Sequence, residues 1–284
     1  MPEGSTTRAF GDRLMTVFET RGRLCVGIDP HPFLLADWGL ADSAAGVREF
    51  GLRVVDAAAG VIGIVKAQVA FFERHGSLGY AALEAVLAAA REAGLLVIAD
   101  AKRGDVGTSV AAYGEAWLTP GSALEADAMT AVAYQGLGSL GAPIELARAS
   151  GKGIFILAAT SNPDGRSTQT AVLGSSGATV AAGIVSGVDG LNATATGVGP
   201  IGLVLGATVN LADYGIDVDR LTKTPVLAPG FGEQGALFGD IPKLYGAAAA
   251  NIIVSVSRSV LRSGPDQIDF TIARQAAELA EAAP

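Results

Sequence analysis

Asp100, Lys102, Arg103 and Asp105 follow directly on the apolar run 95–99. A continuous apolar run reads as a strand buried on both faces, and ionisable groups crowd its end only where the strand reaches solvent or a ligand. In an extended strand, residues two apart share a face, so Asp100 and Lys102 point together and Ala101 points away. A carboxylate and an ammonium so placed form a preset ion pair. Taken alone, that pair is equally the salt-bridged end of an ordinary strand. Gly104 frees the chain to turn, and spacing does not give the direction of Asp105. Polar groups also close other apolar runs: Asp29-Pro30-His31, Lys66-Ala67-Gln68, Thr160-Ser161-Asn162, and Ser255-Val256-Ser257-Arg258. The Gly-rich turn Pro229-Gly230-Phe231-Gly232-Glu233-Gln234-Gly235 precedes the last of these. Backbone N–H groups in such a turn, with Arg258 one strand away as a fixed cation, are the parts of a phosphate grip. His31 lies in a Pro-flanked loop and His75 opens a helix; neither is expected to have a catalytic role.

These groups need a scaffold that brings strand ends together. Apolar, often β-branched runs occur at 24–28, 61–65, 95–99, 128–132, 154–158, 201–205, 225–228 and 252–256. Ala-rich segments with helical spacing lie between most of them, as at 78–93, 144–150 and 235–249. Eight βα units with continuously apolar strands predict an α/β fold, a (β/α)8 TIM barrel, with an open doubly wound sheet as the alternative. The expected organisation is one domain over 1–284. An N-terminal amphipathic helix at 7–21, carrying Phe10, Leu14, Met15, Val17 and Phe18, caps the barrel floor. An extended insertion at about 163–200, rich in Gly, Ser, Thr and Ala, holds one helix near 178–188. Gly174 to Gly177 does not directly follow a strand and is not read as a phosphate-binding turn. In such a barrel the working residues stand at the C-terminal ends of the strands, on one rim.

Composition narrows the partners. The chain has 284 residues, 50% of them hydrophobic and 17% charged, enough apolar material for a large core. A net charge of −8 argues against a nucleic-acid or anionic-membrane surface, so an anionic ligand needs a local basic pocket. Neither a signal-peptide pattern nor a run of about eighteen uninterrupted apolar residues occurs, and a soluble, cytoplasmic protein is expected. The single cysteine, Cys25, has no internal partner and reads as a small core residue.

Asp100-Ala101-Lys102-Arg103-Gly104-Asp105, Lys66, Gly27-Ile28-Asp29, Ser161-Asn162-Pro163, Gln234 and Arg258 together resemble the orotidine 5′-phosphate decarboxylase family, and the 163–200 extension resembles its longer bacterial subgroup. The resemblance implies conversion of orotidine 5′-monophosphate to uridine 5′-monophosphate and carbon dioxide in de novo pyrimidine synthesis, with no metal and no organic cofactor. It also implies a homodimer in which Asp105 enters the neighbour's site. On that reading the catalytic groups are Lys66, Asp100, Lys102 and Asp105. Lys102 stabilises the C6 carbanion and delivers its proton, since a lone pair in the ring plane cannot delocalise into the π-system. Asp100 crowds the substrate carboxylate, and Lys66 completes the network and reaches the ribose. The implied substrate-binding groups are Asp29 for a ribose hydroxyl, Ser161 for the pyrimidine, Ser109 reaching the partner's site, and Gln234 with Arg258 for phosphate.

Two positions depart from the family pattern. Ser109 stands where Thr is usual, keeping the hydroxyl without the methyl, and Ser257 stands before Arg258 where Gly is common. The alternatives are a related sugar-phosphate decarboxylase or aldolase-type barrel enzyme, and a non-catalytic phosphate-binding barrel. The metal-dependent relatives place an acidic ligand where this chain has Lys66, whose charge would repel a metal ion.

Overall fold

The computed structural model describes residues 8–282. Eight parallel strands close into a barrel in sequence order: β1 (Leu24–Ile28), β2 (Ile64–Gln68), β3 (Leu96–Arg103), β4 (Ala128–Ala131), β5 (Gly153–Ala159), β6 (Ile201–Leu205), β7 (Val226–Pro229) and β8 (Ile252–Val256). Closure of β1 on β8, with Val26 opposite Val256, rules out the open sheet. Helices, among them Ala44–Ala58, Gly76–Glu92 and Gly107–Leu118, cover the outside.

The alternation of strand residues separates two cores. Cys25, Ile64, Ile98, Ala128, Phe155, Leu227 and Ile253 fill the barrel interior, while the intervening residues pack outward against the helices. Cys25 is fully buried, and burial pushes its thiol up to about 12. The N-terminal helix is Phe10–Arg21, shorter than the expected 7–21: Thr7 lies outside the described residues, and Arg8 and Ala9 precede the first turn. It plugs the floor with Phe10 and Leu14. The Phe10 ring meets Phe155 edge-on, with centroids 5.9 Å apart. Gly153 makes that fit, because a Cβ there would stand 2.7 Å from the Phe10 ring.

The second strand is displaced from the apolar run 61–65. Val61 belongs to the turn after Ala44–Ala58, and the strand continues instead through Lys66 and Gln68. The polar end Lys66-Ala67-Gln68, read from the sequence as closing this run, is the rim-facing end of the strand. The segment 235–249 is not one helix but pieces at Phe238–Asp240, Ile241–Tyr245 and Gly246–Asn251. Pro242 suits the start of the middle piece, and Gly246, at φ +47°, ends it. Within 163–200 the chain forms two helices, Pro163–Gln169 and Val180–Asn192, rather than one. Thr179 caps the second by accepting from Ala182 N at 2.9 Å.

Candidate active site

The C-terminal strand ends surround a cavity of about 290 Å³. It is lined by Asp29 from β1, Lys66 and Gln68 from β2, Asp100 and Lys102 from β3, Ser161 after β5, Gln234 after β7, and Ser257 and Arg258 after β8. Barrel register brings them together: Gly27 lies opposite Lys66, and Gln68 opposite Asp100.

Asp100 is the hub. Its Oδ2 accepts from Lys66 Nζ at 3.1 Å, Gln68 Nε2 at 2.8 Å and Lys102 Nζ at 2.8 Å, and its Oδ1 accepts from Thr130 Oγ1 at 2.8 Å. Burial works to raise its pKa, but the Lys66 and Lys102 ammonium groups and the hydrogen bonds outweigh it, leaving the carboxyl well below the usual range. Lys66 shows the opposite balance. Burial works to lower its pKa, while Asp100 and Asp29, the latter 3.9 Å away, hold it above the usual ammonium range. Both groups are therefore ionised across neutral pH. Lys102 is different in kind: its side chain is 44% exposed, and its ammonium also donates to Gln68 Oε1 at 3.2 Å.

The expected common face of Asp100 and Lys102 is present, although not through a regular strand. Lys102 sits at φ +49°, and the β3–β4 register shifts between Ala99 and Arg103. A non-glycine residue in the left-handed region costs on the order of 1 kcal/mol. Thr130 holds this bulge: its Oγ1 accepts from Lys102 N at 2.9 Å while donating to Asp100. One hydroxyl thus fixes both the backbone under Lys102 and the carboxylate beside it.

At the opposite side of the cavity, Ser161 Oγ donates to Gln234 Oε1 at 3.4 Å, joining the loops after β5 and β7. The β7 loop is also tied down by Glu233, 2.9 Å from Arg262. Gly232, at φ +73°, passes so close to Ser259 that a Cβ would lie 2.7 Å from its Oγ. Arg258 opens the short helix Arg258–Leu261 and faces the same cavity. Neither histidine lines it. His31 packs between Phe33 and Phe71, its pKa lowered chiefly by burial, and His75 Nε2 stands 3.5 Å from Asp42.

Two expected site residues do not join the cavity of their own chain. Asp105 turns its Oδ1 to its neighbour Val106 N, at 2.8 Å, and Ser109 is exposed on the helix Gly107–Leu118. Two groups escaped the sequence reading. Gln68 stood in the quoted strand end without a role, whereas Thr130, inside an apolar run, gave no signal beyond being the one hydroxyl at a β4 rim position.

Comparison with known proteins bears on this arrangement. Residues 22–269 match the family described as Orotidine 5′-phosphate decarboxylase / HUMPS family. The chain belongs to that family. It is 48% identical over 258 residues to the orotidine 5′-phosphate decarboxylase of Streptomyces coelicolor, covering 90% of this chain and 91% of that one. It is likewise 48% identical over 267 residues to the enzyme of that name from Nocardioides sp., covering 93% and 96%. A solved structure from Streptomyces avermitilis, described provisionally as an orotidine 5′-phosphate decarboxylase, superimposes with a TM-score of 0.94 at 46% identity, covering 100% of this chain and 99% of the other. Family membership thus rests on the whole barrel, including the 163–200 extension. Among the described residues no helix is long and apolar enough to cross a membrane.

Proposed function

We propose that this chain is a carboxy-lyase converting orotidine 5′-monophosphate to uridine 5′-monophosphate without metal or organic cofactor. The observation that carries the reading is the Lys66–Asp100–Lys102 network facing Gln234 and Arg258 across one cavity. With the phosphate on Arg258 and Gln234, and the ribose against Asp29 and Lys66, the pyrimidine falls toward Lys102 and Asp100, within reach of Ser161. The Asp100 carboxylate, ionised and largely dehydrated, opposes the substrate carboxylate and favours its departure. The C6–carboxyl bond breaks, its electron pair stays on C6, and carbon dioxide leaves. The Lys102 ammonium stabilises that pair and transfers one proton to C6; solvent then reprotonates the amine, consistent with its partial exposure. Binding energy from the remote phosphate is applied at the ring by holding it in place.

Asp105 and Ser109 fit this scheme as groups of a homodimer that complete the neighbour's site. Their turn away from their own cavity supports this, as do the nearby apolar side chains of Val106, 55% exposed, and Tyr134, 84% exposed. The metal-dependent sugar-phosphate chemistry of related barrels is disfavoured because the Lys66 ammonium already occupies the space between Asp29 and Asp100. The test is direct: incubation with orotidine 5′-monophosphate and EDTA, followed by ultraviolet absorbance, gives product formation. No turnover under these conditions overturns the proposal.

A further inference from the structure

Two buried polar atoms at the rim, Asp29 Oδ1 and Ser257 Oγ, hydrogen-bond to no protein group. They lie past the ends of adjacent strands, β1 and β8, and crowd the same spot, where Gly27 has no side chain. A Cβ at Gly27 would stand 3.0 Å from Ser257 Cβ and 3.1 and 3.2 Å from the two Asp29 carboxylate oxygens. Both residues line the cavity beside Arg258. A burial this complete disfavours unpaired polar groups, so the site is shaped for a ligand group that pairs with both. The carboxylate oxygen can only accept, whereas the serine hydroxyl can donate. A phosphate oxygen would suit Ser257 but be repelled by Asp29. An alcohol suits both, since its oxygen accepts while its proton is donated.

We infer that Ser257 is a substrate-binding residue that acts jointly with Asp29 on one ribose hydroxyl: Ser257 Oγ–H donates to the hydroxyl oxygen, and the hydroxyl donates to Asp29 Oδ1. This rests on the nucleotide reading above and adds to it a second contact on a ribose hydroxyl, supplied from the β8 end. Arg258, the next residue, holds the phosphate, so one short segment reads two adjoining parts of the same nucleotide.

The experiment measures binding of uridine 5′-monophosphate and its 2′-deoxy and 3′-deoxy analogues by calorimetry, to the wild-type protein and to Ser257→Ala and Ser257→Gly, with thermal melting as the check on folding. Each variant is expected to bind uridine 5′-monophosphate about tenfold more weakly than wild type. That penalty should disappear against the analogue lacking the recognised hydroxyl. An equal penalty against both deoxynucleotides overturns the inference, because Ser257 would then act on the phosphate or on the fold. No penalty at all also overturns it. Failure of the wild-type protein itself to bind uridine 5′-monophosphate would instead overturn the nucleotide reading, and this inference with it.

Discussion

The barrel carries a charged network at each end, and the two are built to opposite specifications. On the floor, Asp127 accepts from Arg13, and its other oxygen accepts from Val97 N at 2.9 Å; Lys152, nearly as buried, donates to Glu125 at 2.7 Å and lies 3.7 Å from Asp127. Arg13 and Arg91 finish the set by donating to the backbone carbonyls of Gly151 and Glu125. On the rim, Asp100 is equally well satisfied, but Lys102 is half exposed on a strained backbone, and Asp29 Oδ1 and Ser257 Oγ accept or donate no hydrogen bond within the protein. Similar residue types serve both ends. The floor charges are paired with one another and with backbone groups, leaving none of their buried side-chain polar atoms without a partner among the described residues, whereas the rim keeps two such atoms for a ligand.

Substitutions on the two networks should separate accordingly. Lys102→Ala is expected to reduce turnover of orotidine 5′-monophosphate by about 10⁴-fold or more, since in the proposed mechanism it removes both the proton donor and the charge facing C6, while binding of a phosphate-bearing nucleotide remains detectable. Near-wild-type activity would show that the proton comes from elsewhere. Under the proposed shared-site homodimer, mixing Lys102→Ala with Asp105→Ala chains should restore about a quarter of wild-type activity, because half of randomly paired dimers would be hybrids with one intact site. Complete failure despite verified subunit exchange would exclude a shared site.

Asp127→Ala should act on stability, because it leaves Arg13 and the Val97 N–H without their acceptor in a buried setting. A loss of about 3 kcal/mol in denaturant unfolding is expected, with kcat/KM of the folded fraction near wild type. Were activity to fall as steeply as stability, the contrast between floor and rim would collapse. The pH dependence sharpens it further. Asp100 has a depressed folded-state pKa, so its contribution to stability is present above the ordinary carboxylate range and lost as pH falls through the folded value. The melting-temperature gap between wild type and Asp100→Asn should therefore narrow as pH drops from about 5 to 3; a constant gap would contradict the assignment. Lys66, shifted upward, keeps its contribution below its ordinary pKa and loses it only in strong alkali, so neither group should shape a rate profile near neutrality. The smallest effect concerns the backbone. Lys102→Gly should be more stable than Lys102→Ala by about 1 kcal/mol, because glycine tolerates the φ of +49° at that position. Equal melting temperatures would remove strain from the description of the rim.

Legibility in the sequence followed the physics of each signal. Buried strands announce themselves by continuous apolar residues, so all eight were visible; the start of β2 was set too early, because Val61 and Ile62 in the preceding turn are as apolar as the strand itself. The long helix expected at 235–249 failed because alanine spacing looks the same whether or not a proline and a glycine divide it into short turns. Lys66, Asp100 and Lys102 stood out as charges at strand ends, whereas Thr130 did not, since a lone threonine in a strand is ordinary until a partner is placed beside it.

The sequence by itself determined the βα repeat, the family, and which ionisable side chains end the strands, because hydropathy period and residue type are local properties of the chain. Tertiary structure decided the rest. Only the pairing of β3 with β2 and with β4 sets Asp100 against Lys66 on one side and Thr130 on the other, and the bulge at Lys102 aims its ammonium at that carboxylate. Closure of β1 on β8 brings Ser257 and Asp29, from opposite ends of the chain, to the gap left by Gly27. Contacts between residues far apart in sequence depend on register and curvature, which no stretch of residues encodes alone.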